Sequence, residues 1–127
     1  MVVQNYKDLT VWKKAMSLVV EVYKATEDFP KQEVFGLTSQ MRRAAIAVPC
    51  HIAEGQGRGT KEGFRKALLA ARGSLQELET QTILADRLGF LPGPGGQRLY
   101  EGLAEVGRII NAVRDQLGDA RESGKKR

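Results

Sequence analysis

Leu37 to Glu79 reads LTSQMRRAAIAVPCHIAEGQGRGTKEGFRKALLAARGSLQELE, and two apolar patterns of helical period meet within it across a glycine-rich joint. In the first, Leu37, Met41, Ala44, Ala45, Val48 and Ile52 recur at steps of three and four, one stripe of a helix with about 3.6 residues per turn. In the second, Phe64, Ala67, Ala71, Leu75, Leu78, Thr82 and Ala85 do the same. Thr38 or Ser39 is placed to cap the first of these helices and Thr60 the second, because short oxygen-bearing side chains accept from the free N–H groups of a first turn. The first pattern is expected to stop at Gly55, leaving Gly55-Gln56-Gly57-Arg58-Gly59 as a flexible loop. Pro49 falls inside it. Lacking an N–H, it should kink the helix or open a hydrogen bond, at about 3 kcal/mol unless the surroundings compensate.

Upstream, residues before Asp8 read as a short arm, with Asp8 or Thr10 available as a cap. From Leu9 to about Glu27 the apolar residues Leu9, Val11, Trp12, Ala15, Met16, Leu18, Val19, Val20, Val22 and Tyr23 cover more than half of the helix circumference. Phe29-Pro30 ends this helix, and residues 31–36 form a connection. Downstream, the third helix runs to Leu88 with Gly89 as a left-handed stop, about 40 Å of helix and the longest expected. Phe90-Leu91-Pro92-Gly93-Pro94-Gly95-Gly96 is a break. The fourth helix carries Leu99, Leu103, Val106, Ile110, Val113 and Leu117, a narrow heptad-like seam. Gly118 is expected to stop it. The fold expected is all-α, an antiparallel up-and-down four-helix bundle over residues 1–118, followed by a disordered basic tail over 119–127.

Composition agrees with one globular domain: 127 residues, 42% hydrophobic and 28% charged. The single cysteine, Cys50, cannot make an intramolecular disulfide. The first residues carry no secretory pattern, and no apolar run approaches the roughly 20 residues of a membrane span, so a cytoplasmic protein with no membrane partner is expected. The net charge of +5 is unevenly spread. Residues 37–72 hold seven basic side chains (Arg42, Arg43, Arg58, Lys61, Arg65, Lys66, Arg72) against Glu54 and Glu62, whereas residues 73–118 hold four against six.

That basic zone is the candidate functional site. Lys61, Arg65 and Arg72 fall within about 40° of one another on the third helix, Arg58 precedes them, and Arg42 and Arg43 come from the adjoining helix. Such a cluster neutralises phosphates and gives salt-sensitive, sequence-tolerant nucleic-acid binding. The plain alternative is a solvated helix face whose arginines pair with Glu54, Glu77 or Glu79. The joint is no nucleotide-binding phosphate loop, since Gly59-Thr60-Lys61 is in the wrong order and follows a helix. Free N–H groups at Thr60 to Gly63 are placed to hold a single phosphate, against a plain capped turn. Cys50, His51 and Glu54 are too few for a metal site, and Cys50 and His51 point about 100° apart, so a structural thiol and a surface or interface histidine are expected, with neither metal nor cofactor. Glu77 and Glu79 point about 160° apart and make no acid–base pair, so no enzymatic activity is expected. Trp12, Leu69 and Ile83 are candidates for an oligomer interface: Trp12 as an anchor, Leu69 and Ile83 because they lie about 150° from the core face of their helix.

Several segments carry a family resemblance. They are Leu9-Thr10-Val11-Trp12-Lys13-Lys14-Ala15, Phe29-Pro30, Phe35-Gly36-Leu37-Thr38, Gln40-Met41-Arg42-Arg43-Ala44-Ala45, Val48-Pro49 with Ile52-Ala53-Glu54-Gly55, and Gly73-Ser74-Leu75-Gln76-Glu77-Leu78-Glu79. Over roughly residues 6–117 the chain resembles the four-helix-bundle proteins encoded in intervening sequences of bacterial 23S rRNA genes, a family also labelled ribosomal-protein-like. Cys50-His51 departs from the small residue and Asn usual there. The resemblance implies a helical bundle assembling into a ring, commonly a homopentamer, and implies no enzymatic activity. A similar fold serves as the accessory protein of diversity-generating retroelements, which binds nucleic acid and a reverse transcriptase. The reading is therefore a non-enzymatic oligomeric bundle whose basic surface binds RNA or DNA backbone as an accessory of a nucleoprotein. Its rival is a protein-binding scaffold with no nucleic-acid role.

Overall fold

The computed structural model describes the backbone of residues 5–125 and the side chains of residues 5–118. Asn5 accepts from the Lys7 amide at 2.9 Å and starts a single 3-10 turn, Tyr6–Asp8. This turn takes up Asp8, so α1 (Thr10–Thr26) begins after Leu9 with no side-chain cap, contrary to the cap expected from Asp8 or Thr10. Tyr6 meets Trp12 edge-on, with ring centroids 5.4 Å apart. α1 turns Val11, Ala15, Leu18 and Val22 into the core.

α2 (Leu37–Gly57) also starts differently from expectation. A second 3-10 turn, Lys31–Glu33, brings the Glu33 carboxylate back to accept from the Leu37 amide at 3.1 Å. With that amide satisfied, Thr38 is buried instead of capping. Pro49 is buried within the helix, which runs on without a break, past Gly55 to Gly57. Gly55 is buried because α3 passes directly over it: a Cβ there would lie 2.3 Å from the Ala67 Cβ and 3.3 Å from the Phe64 ring. The joint is thus shorter than the sequence suggests. Gly59, at φ 78°, makes the turn.

α3 (Lys61–Arg87) begins as expected, with the Thr60 hydroxyl accepting from the Gly63 amide at 3.0 Å. It ends on Gly89 at φ 81°, where the Phe90 amide donates to the Ala85 carbonyl at 2.9 Å. α4 (Pro94–Lys125) is the longest helix, 32 residues against 27 for α3. It passes through Gly118, the expected stop, which lacks a positive φ. A glycine of helical φ weakens a helix by about 1 kcal/mol relative to alanine but does not end it. Residues 119–125 of the expected tail therefore continue the helical backbone, and residues 126 and 127 lie outside the described residues.

α1 lies beside α2 and α4, and α3 beside α2 and α4, whereas α1 and α3, like α2 and α4, keep their described Cα atoms more than 8 Å apart and so stand diagonally. The result is a four-helix bundle around Met41, Ile52, Leu68, Leu78, Leu99 and Ile110, all fully buried. Of the expected α4 seam, Leu99, Leu103, Val106 and Ile110 are buried, while Val113 and Leu117 are half-buried against the core. Phe29, after α1, meets Phe90, after α3, at 5.3 Å between ring centroids. Lys14 pairs with Glu105 and Arg98 with Glu21, each at 3.3 Å, across α1 and α4. Exposed pairs of this kind contribute under about 1 kcal/mol. Partial burial raises the Tyr100 phenol above its ordinary pKa, as does its hydrogen bond to Asp86 at 3.1 Å. Among the described residues there is no β-strand, and no helix is long and apolar enough to cross a membrane.

Candidate nucleic-acid interface

The six basic residues of the candidate site fall into two groups. Arg42 is built into the α1–α2 contact: its Nε donates to the Thr26 hydroxyl at 2.9 Å, a terminal nitrogen reaches the Tyr23 carbonyl at 3.4 Å, and the guanidinium lies 4.3 Å from the Tyr23 ring centre. Arg43, the next residue around the helix, is exposed. These two stand about 24 Å along α2 from Arg58. Arg42→Ala is expected to destabilise the bundle by about 1–2 kcal/mol, because it removes two hydrogen bonds and a stacked cation. Arg43→Ala should stay within about 0.5 kcal/mol in the same urea titration.

The second group follows the joint and α3. Arg58 pairs with Glu54 at 3.7 Å, the solvated-face arrangement weighed above, and its aliphatic stem fills the space beside Gly63. Lys61 is exposed on the first turn. Arg65 is half-buried, close to Gly118 of α4, with its Nε buried and without a hydrogen-bond partner. Arg72 lines a groove of about 290 Å³ between α3 and α4, facing Arg108 and Asn111. Gly107 opens this groove, and Glu79 is its one carboxylate. Among the described side chains, Arg65, Arg72 and Arg108 take part in no ion pair within 4.0 Å. The electrostatic consequence is a cationic cleft between two helices, which concentrates an anion more than the same charges on a convex face would.

Arg108 and Asn111 escape a reading by segments, because residues 73–118 carry a net negative charge. The available signal was positional: the two stand one turn apart on the flank of the Leu103–Val106–Ile110 seam, next to a glycine.

The candidate interface residues also divide. Leu69 and Ile83 are exposed on the outer side of α3, joined by Leu84 and Leu88. Trp12 is half-buried beneath Tyr6, so the exposed apolar stripe of α1 is instead Met16, Val20 and Tyr23, spaced four and three apart. Tyr23 shares a shallow surface with Val34 and Ile46, and Phe35 beside them is 94% exposed. Sequence reasoning passed over Phe35 because it sits in a connection, where apolar period carries no information.

The sequence matches the description 23S rRNA-intervening sequence protein over residues 7–112. The chain belongs to that family. No curated protein matches it. In this member of the 23S rRNA-intervening sequence protein family, the Cys50-His51 departure lies on the outer side of α2. Cys50 is exposed and His51 half-buried, so the expectation of a structural thiol is corrected: Val48, Pro49 and Ile52 take the inward positions. Among the described residues no three His, Cys, Asp or Glu side chains gather as metal ligands.

Proposed function

We propose that this 23S rRNA-intervening sequence protein is a non-enzymatic, cytoplasmic, oligomeric bundle of antiparallel up-and-down helices that binds nucleic-acid backbone along its α3–α4 groove. It would act as an accessory of a nucleoprotein, with a reverse transcriptase or comparable enzyme as protein partner. The observation that carries the binding reading is Arg72 and Arg108 on facing helices of one groove, neither in an ion pair among the described side chains. Two guanidiniums held apart by rigid helices suit phosphate, whose oxygens accept their forked donors. Lys61 and Arg65 extend the track toward the joint.

The up-and-down topology is supported by contacts whose numbers fall on one helix as they rise on its neighbour: Lys14 with Glu105 and Glu21 with Arg98, and on α3 and α4, Arg65 near Gly118 and Leu75 near Gly107. Assembly is supported by two exposed apolar stripes on diagonal helices, one on α1 and one on α3. Stripes on different sides of one subunit favour a head-to-tail contact that closes into a ring. The pentameric number comes from the resemblance. A ring would repeat the groove around an axis and let several weak phosphate sites act on one strand.

The test is a salt titration with RNA and DNA oligomers. Affinity should fall steeply between low and moderate salt, and Arg72→Ala with Arg108→Ala should reduce the slope of log K against log salt by about one to two, since each phosphate contact contributes about 0.7–0.9. No affinity at low salt would overturn the reading and leave the protein-binding scaffold.

A further inference from the structure

We infer that the α3–α4 groove takes an unpaired guanine of a strand, its phosphate on the arginines and its base edge on Glu79, an inference that rests on the backbone-binding reading above. The groove has two chemically different ends. Leu75 and Gly107 meet between them, since a Cβ on that glycine would lie 3.5 Å from the Leu75 side chain. To one side of this contact stand Arg72 and Arg108, and to the other Glu79 and Ala104. Arg72 and Glu79 are seven residues apart on α3, about 10.5 Å of helical rise and within about 20° of one face. Glu79 is exposed and, among the described side chains, takes part in no ion pair within 4.0 Å. Its oxygens are open to a ligand, and their charge disfavours a second phosphate at that end. The groove thus suits a molecule that is anionic at one end and rich in donors at the other.

Phosphate contacts hold a strand without reading it, and base edges carry the sequence. A carboxylate only accepts, through two oxygens side by side. Guanine alone among the common bases presents two adjacent donors, N1–H and the 2-amino group, on its Watson–Crick edge. Adenine and cytosine offer one amino group beside a ring-nitrogen acceptor, and thymine or uracil one N–H between two carbonyls. Each of these sets an acceptor against a Glu79 oxygen. The groove floor is aliphatic, with Leu75 and Leu103 buried beneath Ala104 and Gly107, so a flat ring can lie on it. Its volume of about 290 Å³ suits one nucleotide. In a duplex the edge that Glu79 would read is taken by cytosine, so the guanine must be unpaired.

The experiment compares, on the unaltered full chain by fluorescence anisotropy, oligothymidylates of one length that carry a single central guanine, hypoxanthine, adenine or cytosine. The guanine strand should bind about tenfold more tightly than the adenine or cytosine strand, the discrimination of one bidentate pair. Hypoxanthine keeps N1–H but lacks the 2-amino group, and should fall to within about threefold of adenine. Glu79→Gln replaces two acceptors by an acceptor and a donor, and should bring guanine to within about twofold of adenine while binding stays salt-sensitive. Guanosine 5′-monophosphate should compete only at far higher concentration, because it lacks the neighbouring phosphates. Competition equal to that of the strand would overturn the strand as occupant. Equal, salt-sensitive binding of all four strands would overturn the inference while leaving the groove reading standing. A guanine preference that survives in Glu79→Gln would also overturn it, because the base would then be read elsewhere. Binding of none would remove both.

Discussion

Gly55→Ala should unfold this protein about 10 °C below the wild type, a loss of about 2–3 kcal/mol. In an exposed helix the same change would stabilise by up to about 1 kcal/mol, since alanine is the better helix former. The sign reverses here because of what lies across the contact. The added methyl would stand 2.3 Å from the Ala67 Cβ, a carbon that no rotamer change can move. Relief requires α2 and α3 to separate, and these helices share the core around Met41, Ile52, Leu68 and Leu78. Interiors packed to crystal density transmit such a shift to every layer. Gly57→Ala is the matched control, since that glycine lies in the same helix with nothing within 4 Å of the added carbon. It should gain up to about 1 kcal/mol. Ala67→Gly in the Gly55→Ala background should recover more than half of the loss. Both comparisons need a fixed protein concentration, because unfolding of an assembly depends on it. An unchanged melting temperature in Gly55→Ala would mean that the helices do not meet at this residue.

The same glycine shows where sequence reading reaches its limit. Period and caps made the helices legible: Thr60 and Gly89 do at the ends of α3 what their chemistry dictates. Gly55 reads locally as a helix stop, and the reason it is something else is Ala67, a residue brought there by the fold. The α2 start follows the same logic, since Thr38 is a good cap by composition but Glu33, returned by a 3-10 turn, reaches the Leu37 amide first. For the site, helical angles grouped Lys61, Arg65 and Arg72 on one side of α3. They could not reveal that α4 supplies Arg108 and Asn111 opposite Arg72, or that Arg42 is tied to Tyr23 and Thr26. Those are relations between helices, set by register, and a periodicity within one helix does not encode register.

Assembly carries the other large effect. Sedimentation velocity at micromolar concentration should show a single species several times heavier than the 14.0 kDa chain. Val20→Glu on α1 and Leu69→Glu on α3 should each yield a helical 14.0 kDa monomer, because Val20 is 50% and Leu69 40% exposed in the single chain and neither fills its core. Within an interface, each carboxylate would be desolvated without a partner, at about 3–5 kcal/mol, or roughly two to four orders of magnitude in affinity. Mixing the two variants separates a head-to-tail contact from a symmetric one. In a head-to-tail assembly the Val20→Glu subunit keeps an intact α3 stripe and the Leu69→Glu subunit an intact α1 stripe. The equimolar mixture should therefore form one sound contact and stop at a dimer, twice 14.0 kDa, with a damaged stripe at each end. In a symmetric α1–α1 contact, Leu69→Glu alone would remain associated and mixing would rescue nothing. A wild-type chain that sediments as a 14.0 kDa monomer would refute the ring, and the repeated groove that depends on it would go as well.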